Sequence, residues 1–130
     1  MDEFKLIIAG GRDFHDHNRL VRIMHNGLLG PLRGYRVSIV SGMARGADWN
    51  GAHFARGCNL QLYEFPADWD THGKRAGHIR NADMAQFADG LLAFWDGESR
   101  GTDNMIQQMK ELRLVLIFRR AFLLCFSACW

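Results

Sequence analysis

Short apolar runs alternate with amphipathic stretches along this chain. Phe4 to Ala9 is a near-continuous apolar run of strand length; Leu20, Ile23, Met24 and Leu28 follow at helical spacing, and a second short run covers Arg36 to Val40. The alternation continues. It predicts helices over Ala44 to Arg56, Arg75 to Phe87 and Gly101 to Leu112, and strands over Leu60 to Phe65, Gly90 to Trp95 and Leu114 to Phe118. Strands separated by helices require right-handed crossovers, which put helices on both faces of a parallel sheet. Apolar strands without polar alternation fit a sheet buried on both sides. The expected fold class is therefore α/β, a doubly wound parallel sheet of about five strands in the order 3-2-1-4-5. Internal repeats and linkers are absent, and the one long aperiodic stretch, Glu64 to Gly77, reads as a loop of the kind that often carries function.

In that strand order the chain reverses direction between strands one and four, so the loops that follow them flank the crevice where this architecture takes its ligands. Three loops carry candidate chemistry. Gly10-Gly11-Arg12 follows the first strand, where paired glycines serve either a tight turn or close backbone approach to an anion, with Arg12 adding charge. Ser41-Gly42-Met43-Ala44-Arg45-Gly46-Ala47-Asp48 follows the second strand and opens a helix, a place where free amides and the helix dipole favour phosphate. It reads equally as a capped helix start. Asp96-Gly97-Glu98-Ser99-Arg100-Gly101-Thr102 repeats the same physics after the fourth strand. The candidate ligand-binding residues are Gly10, Gly11, Arg12, Ser41, Gly42, Arg45, Arg80, Asn81, Gly97, Ser99, Gly101 and Thr102, with Asp13 and Asp48 expected to fix the loops. Pro66 to Asn81 concentrates carboxylates, histidines, Trp69 and basic groups, and Arg80 near the start of its helix is expected to point toward the crevice.

Charge narrows the ligand. A net charge of +2 and the lack of an aromatic-basic stripe argue against nucleic acid as the partner. Thirteen of the sixteen cations are Arg, whose planar fork matches phosphate, so an anionic small molecule is expected. His72 and His78 lack the i, i+4 spacing of a helical metal pair, and the sequence calls for no metal and no cofactor. Three cysteines without CxxC spacing, and an acidic start in place of a basic signal segment, make a reducing cytoplasm the expected compartment. The apolar run Ala121 to Trp130 is about half the roughly 20 residues a membrane helix needs, so no membrane partner is expected.

Five segments together resemble the YspA-like branch of the SLOG superfamily, the Rossmann-like group that includes the Smf/DprA proteins and the "Lonely Guy" (LOG) enzymes. They are Ile7 to Phe14, Ile39 to Asp48, Phe65 to Trp69, Gly73 to Asn81 and Phe94 to Thr102. The resemblance covers residues 4 to about 118 and implies a Rossmann-like nucleotide-binding domain over 1–118, with 119–130 left as an apolar C-terminal tail. It implies binding or sensing of a nucleotide, a nucleotide sugar or an ADP-ribose-like ligand. LOG relatives hydrolyse the N-glycosidic bond of nucleoside monophosphates with an Arg near a helix start and a Glu after a PGGxGTxxE motif. Arg80 matches the first, whereas Met105 stands where the Glu would be, leaving Glu98 and Asp103 as neighbouring carboxylates for a catalytic role. LOG relatives self-associate, which implies a homodimer, and DprA relatives bind single-stranded DNA. Leu112-Arg113-Leu114-Val115 lacks the family's glycine between last helix and last strand.

Overall fold

The computed structural model describes residues 2–28, 30–110, 114–119 and 122–127. Strand β1 (Asp2–Gly10) lies at the centre of the sheet, between β2 (Tyr35–Ser41) and β4 (Gly90–Phe94); β3 (Leu62–Glu64) and β5 (Leu114–Arg119) flank these. The five strands are parallel and run in the order 3-2-1-4-5, as the periodicity predicts. Consecutive residues of β1 serve opposite faces. Leu6 and Ile8 pack with α1 (His17–Ile23) and α2 (Ala47–Gly57), through Leu20 and Phe54, while Ile7 and Ala9 pack with α4 (Ala76–Phe87) and α5 (Arg100–Met109), through Met84, Met105 and Ile106. All four β1 residues are buried, so helices cover both faces and the strand sequence has no polar alternation to show.

Four boundaries differ from the sequence reading. The helix expected from Ala44 begins at Ala47, because Met43 (φ 61°) and Gly46 (φ 82°) hold the preceding loop in left-handed conformations. The pattern Leu20 to Leu28 closes in a wide π turn (Met24–Leu28) after α1. Part of the expected loop Glu64 to Gly77 is helical: α3 (Trp69–His72), capped by the Asp68 carboxylate accepting from the Thr71 amide at 3.1 Å, leads through a 3-10 turn (Gly73–Arg75) into α4. Single turns are too short to display a period. The tail placed at 119–130 supplies a sixth strand, β6 (Phe122–Ser127), antiparallel to β5 with Leu114 opposite Ser127 and Arg119 opposite Phe122. A parallel edge strand otherwise presents a row of unpaired amides and carbonyls, and an antiparallel neighbour satisfies it. The helix end expected at Leu112, and the missing glycine beside it, lie partly outside the described residues.

Candidate functional site

β1 and β4 end side by side, with Gly10 opposite Phe94, and the chain leaves the sheet there in opposite directions. A cleft of about 650 Å³ opens at this switch point, a size suited to a small organic ligand. Its walls come from distant parts of the chain: Gly10 to Phe14 after β1, Ala44 and Asp48 at α2, Trp69 and Lys74, Gly77, His78, Arg80 and Asn81 on α4, and Trp95, Asp96, Ser99, Gly101 and Thr102 at α5. Arg19, Met84, Met105 and Phe118 complete it.

Gly10 lets the first loop pass. A Cβ there would overlap the Phe94 carbonyl and stand 2.9 Å from the Ala47 side chain, so no larger residue permits this approach of β1, β4 and α2. The loop is pinned by the Gly11 amide donating to Phe94 O at 3.1 Å and by Gly11 O accepting from the Phe14 and Ala47 amides. Arg12 is exposed at its tip. Across the cleft, Ser99 caps α5: its hydroxyl lies 3.2 Å from that of Thr102, and Asp96 Oδ1 accepts from the Glu98 and Ser99 amides at 2.8 Å. The amides of Arg100 and Gly101 open the helix and have no acceptor within it. They are the kind of donors that hold an anion.

Asp48 and Arg80 both approach Gly42. A Cβ on Gly42 would stand 2.6 Å from Arg80 Nη1 and 2.7 Å from Asp48 Oδ2, so the missing side chain leaves room for both. Arg80 Nη1 donates to Gly42 O at 2.6 Å and Nε donates to Asn81 Oδ1 at 3.0 Å. Asn81 is itself buried and donates from Nδ2 to Gly101 O and to Asn104 Oδ1, which ties the guanidinium to the start of α5. Burial pushes the Asp48 carboxyl up from 3.8 to about 6, against the pull of Arg80, the amides of Ala44 and Gly10, and Arg12. Burial likewise lowers Arg80 below the ordinary guanidinium value, partly offset by Asp48.

The structure brings Gly10, Gly11, Arg12, Arg80, Asn81, Ser99, Gly101 and Thr102 together on the cleft, with Asp13. It places Ser41, Gly42, Arg45 and Gly97 off its walls. The Ser41 hydroxyl is buried under the second loop, donating to Asp48 O at 2.9 Å and accepting from the Met43 amide. The amides of Ala44 and Ala47 are likewise taken, by Asp48 Oδ2 and Gly11 O, so these groups brace the site. Arg45 is exposed, and Gly97 (φ 88°) serves the turn capped by Asp96. Glu98 and Asp103 also lie off the walls, and Asp103 accepts from the Gln107 side chain. The sequence reading did not single out Arg19, Trp95 or Phe118 as site residues, and nothing local marks them, because packing brings them in. Among the described residues no group of three or more His, Cys, Asp or Glu side chains is placed to hold a metal, and no helix is long and apolar enough to cross a membrane.

A model of the YspA, cpYpsA-related SLOG family matches residues 4–72, from β1 through α3. The chain belongs to this SLOG family. The matched part holds the loop after β1, the braced loop after β2, and Asp48; Arg80 and the α5 cap lie beyond it. SLOG membership points to a nucleotide-related function and names no particular ligand. The "Gene 61 protein" of Mycobacterium phage D29 is 36% identical over 89 residues, which is 64% of this chain and 71% of that protein. No solved structure matches the chain.

Proposed function

We propose that the cleft binds or senses a nucleotide or nucleotide-derived ligand, a nucleotide sugar or an ADP-ribose-like molecule, by its phosphate. The observation that carries this reading is the convergence, on one cleft at the switch point, of Arg12, Arg80 and the opening amides of α5. Among the described residues Arg80 bonds only Gly42 and Asn81, which leaves Nη2 for a ligand oxygen. A reducing cytoplasm suits such a ligand and the exposed free thiol of Cys58. The test is native mass spectrometry and calorimetric titration of the purified chain with nucleoside monophosphates, nucleotide sugars and ADP-ribose. One class should bind saturably, and Arg80→Ala should weaken it by about 10-fold or more, as loss of a charge-assisted hydrogen bond does. Absence of saturable binding across the set refutes the reading.

Asp48 supports a second reading, hydrolysis of a nucleoside monophosphate, in which water adds across the N-glycosidic bond to give free base and ribose 5-phosphate. Met105 is a core residue and holds no charge, but Asp48 is a cleft carboxyl brought to about 6, in the range of a general acid or base near neutral pH. Release of base, abolished by Asp48→Asn, supports this reading; unchanged monophosphates in every incubation refute it.

A further inference from the structure

Among the described residues three large apolar side chains are markedly exposed: Tyr35, Trp49 and Trp69. Two of them have partners. Tyr35 meets Phe4 edge-on at 5.6 Å between centroids, and the Arg56 guanidinium lies 5.8 Å from the Trp49 ring. Among the described residues no ring or cation stacks on Trp69, although it is 53% exposed, and it is the one of the three that lines the cleft. Leaving so large an apolar surface in water is unfavourable by about 25 cal/mol for each Å² that a partner would cover.

The backbone turn that carries the indole is anchored. Trp69 opens α3, whose cap is the Asp68 carboxylate, and those hydrogen bonds with Thr71 keep Asp68 below the usual carboxylate range. Gly77, on the first turn of α4, faces the six-membered ring across a gap that a methyl group would just fill, its carbon standing 3.7 Å from Cη2. Lys74 and His78 stand on the same wall. Of the phosphate-competent groups, Arg12 and the opening amides of α5 stand on elements separate from this wall, and Arg80 lies on α4 three residues after Gly77. At about 650 Å³ the cleft has room for more than one phosphate.

We propose that Trp69 is the stacking platform for an aromatic base, so that this cleft selects a base-bearing nucleotide over a bare sugar phosphate. The inference rests on the phosphate-binding reading above and adds the specificity-determining residue. Every nucleobase has a π face, so the platform favours bases as a class, purines most through their larger area.

The purified full chain is titrated with AMP, ADP-ribose and ribose 5-phosphate, in the wild-type form and as Trp69→Ala and Trp69→Phe. A base-bearing probe should bind on the order of 10-fold tighter than ribose 5-phosphate. Trp69→Ala should remove that advantage while leaving ribose 5-phosphate binding unchanged, which also shows that the variant is folded; Trp69→Phe should keep most of it. Indole fluorescence should fall on adding the base-bearing probe, and the drop should shrink in Trp69→Phe. Equal affinity for base-bearing and base-free phosphates, or a base preference that survives Trp69→Ala, overturns the platform and leaves the phosphate reading standing. Failure of all three probes to bind overturns both.

Discussion

Replacing Asp48 by Asn isolates the electrostatic cost of a buried carboxylate. Asp48 is 6% exposed, and burial raises its carboxyl from 3.8 to about 6 although Arg80 and two amides oppose the rise. The direction of the linkage follows. The native state binds this proton more tightly than the unfolded chain does, so the group's contribution to stability is most favourable below about 3.8, is lost as pH rises from 3.8 to about 6, and stays lost above that. At about 1.4 kcal/mol per pH unit, the gap between 3.8 and about 6 corresponds to roughly 3 kcal/mol. That figure is an upper value for what an ionised Asp48 costs the fold at neutral pH. The amide introduced by Asp48→Asn has the same size as the carboxyl and keeps an oxygen for the Ala44 amide, but Arg80 would lose its counter-charge, so part of the gain is returned.

The assay is urea unfolding of wild type and Asp48→Asn at pH intervals from 4 to 7.5, taken as the difference between the two curves. Subtraction removes Glu3 and Asp68, whose lowered carboxyls act in the opposite sense, losing stability as pH falls through the acid range. The variant should gain on wild type by about 2 to 3 kcal/mol between pH 4 and 7 and level off above pH 6.5. A difference that is flat across this window, or that favours wild type as pH rises, refutes the argument that burial outweighs the Arg80 field.

Two further substitutions test the geometry of the cleft. Gly10→Ala drives a Cβ into the Phe94 backbone carbonyl and to 2.9 Å from the Ala47 side chain. Since a carbonyl held in the sheet has little room to give, urea unfolding should show a loss of about 2 to 3 kcal/mol. Ser99→Ala removes the α5 cap, whose bond to the Thr102 amide is long at 3.5 Å, so the same measurement should show a loss of only about 0.5 to 1 kcal/mol.

The sheet was legible because its strands are buried on both faces. Leu6 to Ala9 contribute to both cores, and such a run has no reading other than a central strand once helical patterns flank it. The fold's local departures were illegible for equally physical reasons. Trp69–His72 is one turn long, and Phe122–Ser127 becomes a strand only because β5 offers an edge to pair with. Within the site, glycines at 10, 11 and 101 announced themselves by position after strands. Asp48 did not. A carboxylate in the first turn of a helix ordinarily interacts with the dipole from solvent, and only tertiary packing by the neighbouring loops and Arg80 buries this one. The Ser41 hydroxyl shows the converse: it ends a strand and precedes a helix, where a ligand donor is expected, but its bonds are turned inward.

Met105 shows what that distinction means for chemistry. In the LOG arrangement the position carries a carboxylate, and a reader of the sequence looks for its replacement among the nearest acids, Glu98 and Asp103. Neither lies on the cleft walls. Met105 is 1% exposed and packs with Ile106, Met109 and Val115, so its side chain belongs to the α5 side of the core as well as to the cleft floor. The buried carboxyl that does reach the cleft, Asp48, comes from α2, which packs on the other face of the sheet, and it lies next to Arg80. A base-binding protein needs only the cations, the α5 amides and an aromatic platform. A hydrolase on this frame needs Asp48 as well, and so the Asp48→Asn variant separates the two: it should leave a binding protein able to hold its ligand and a hydrolase unable to release a base.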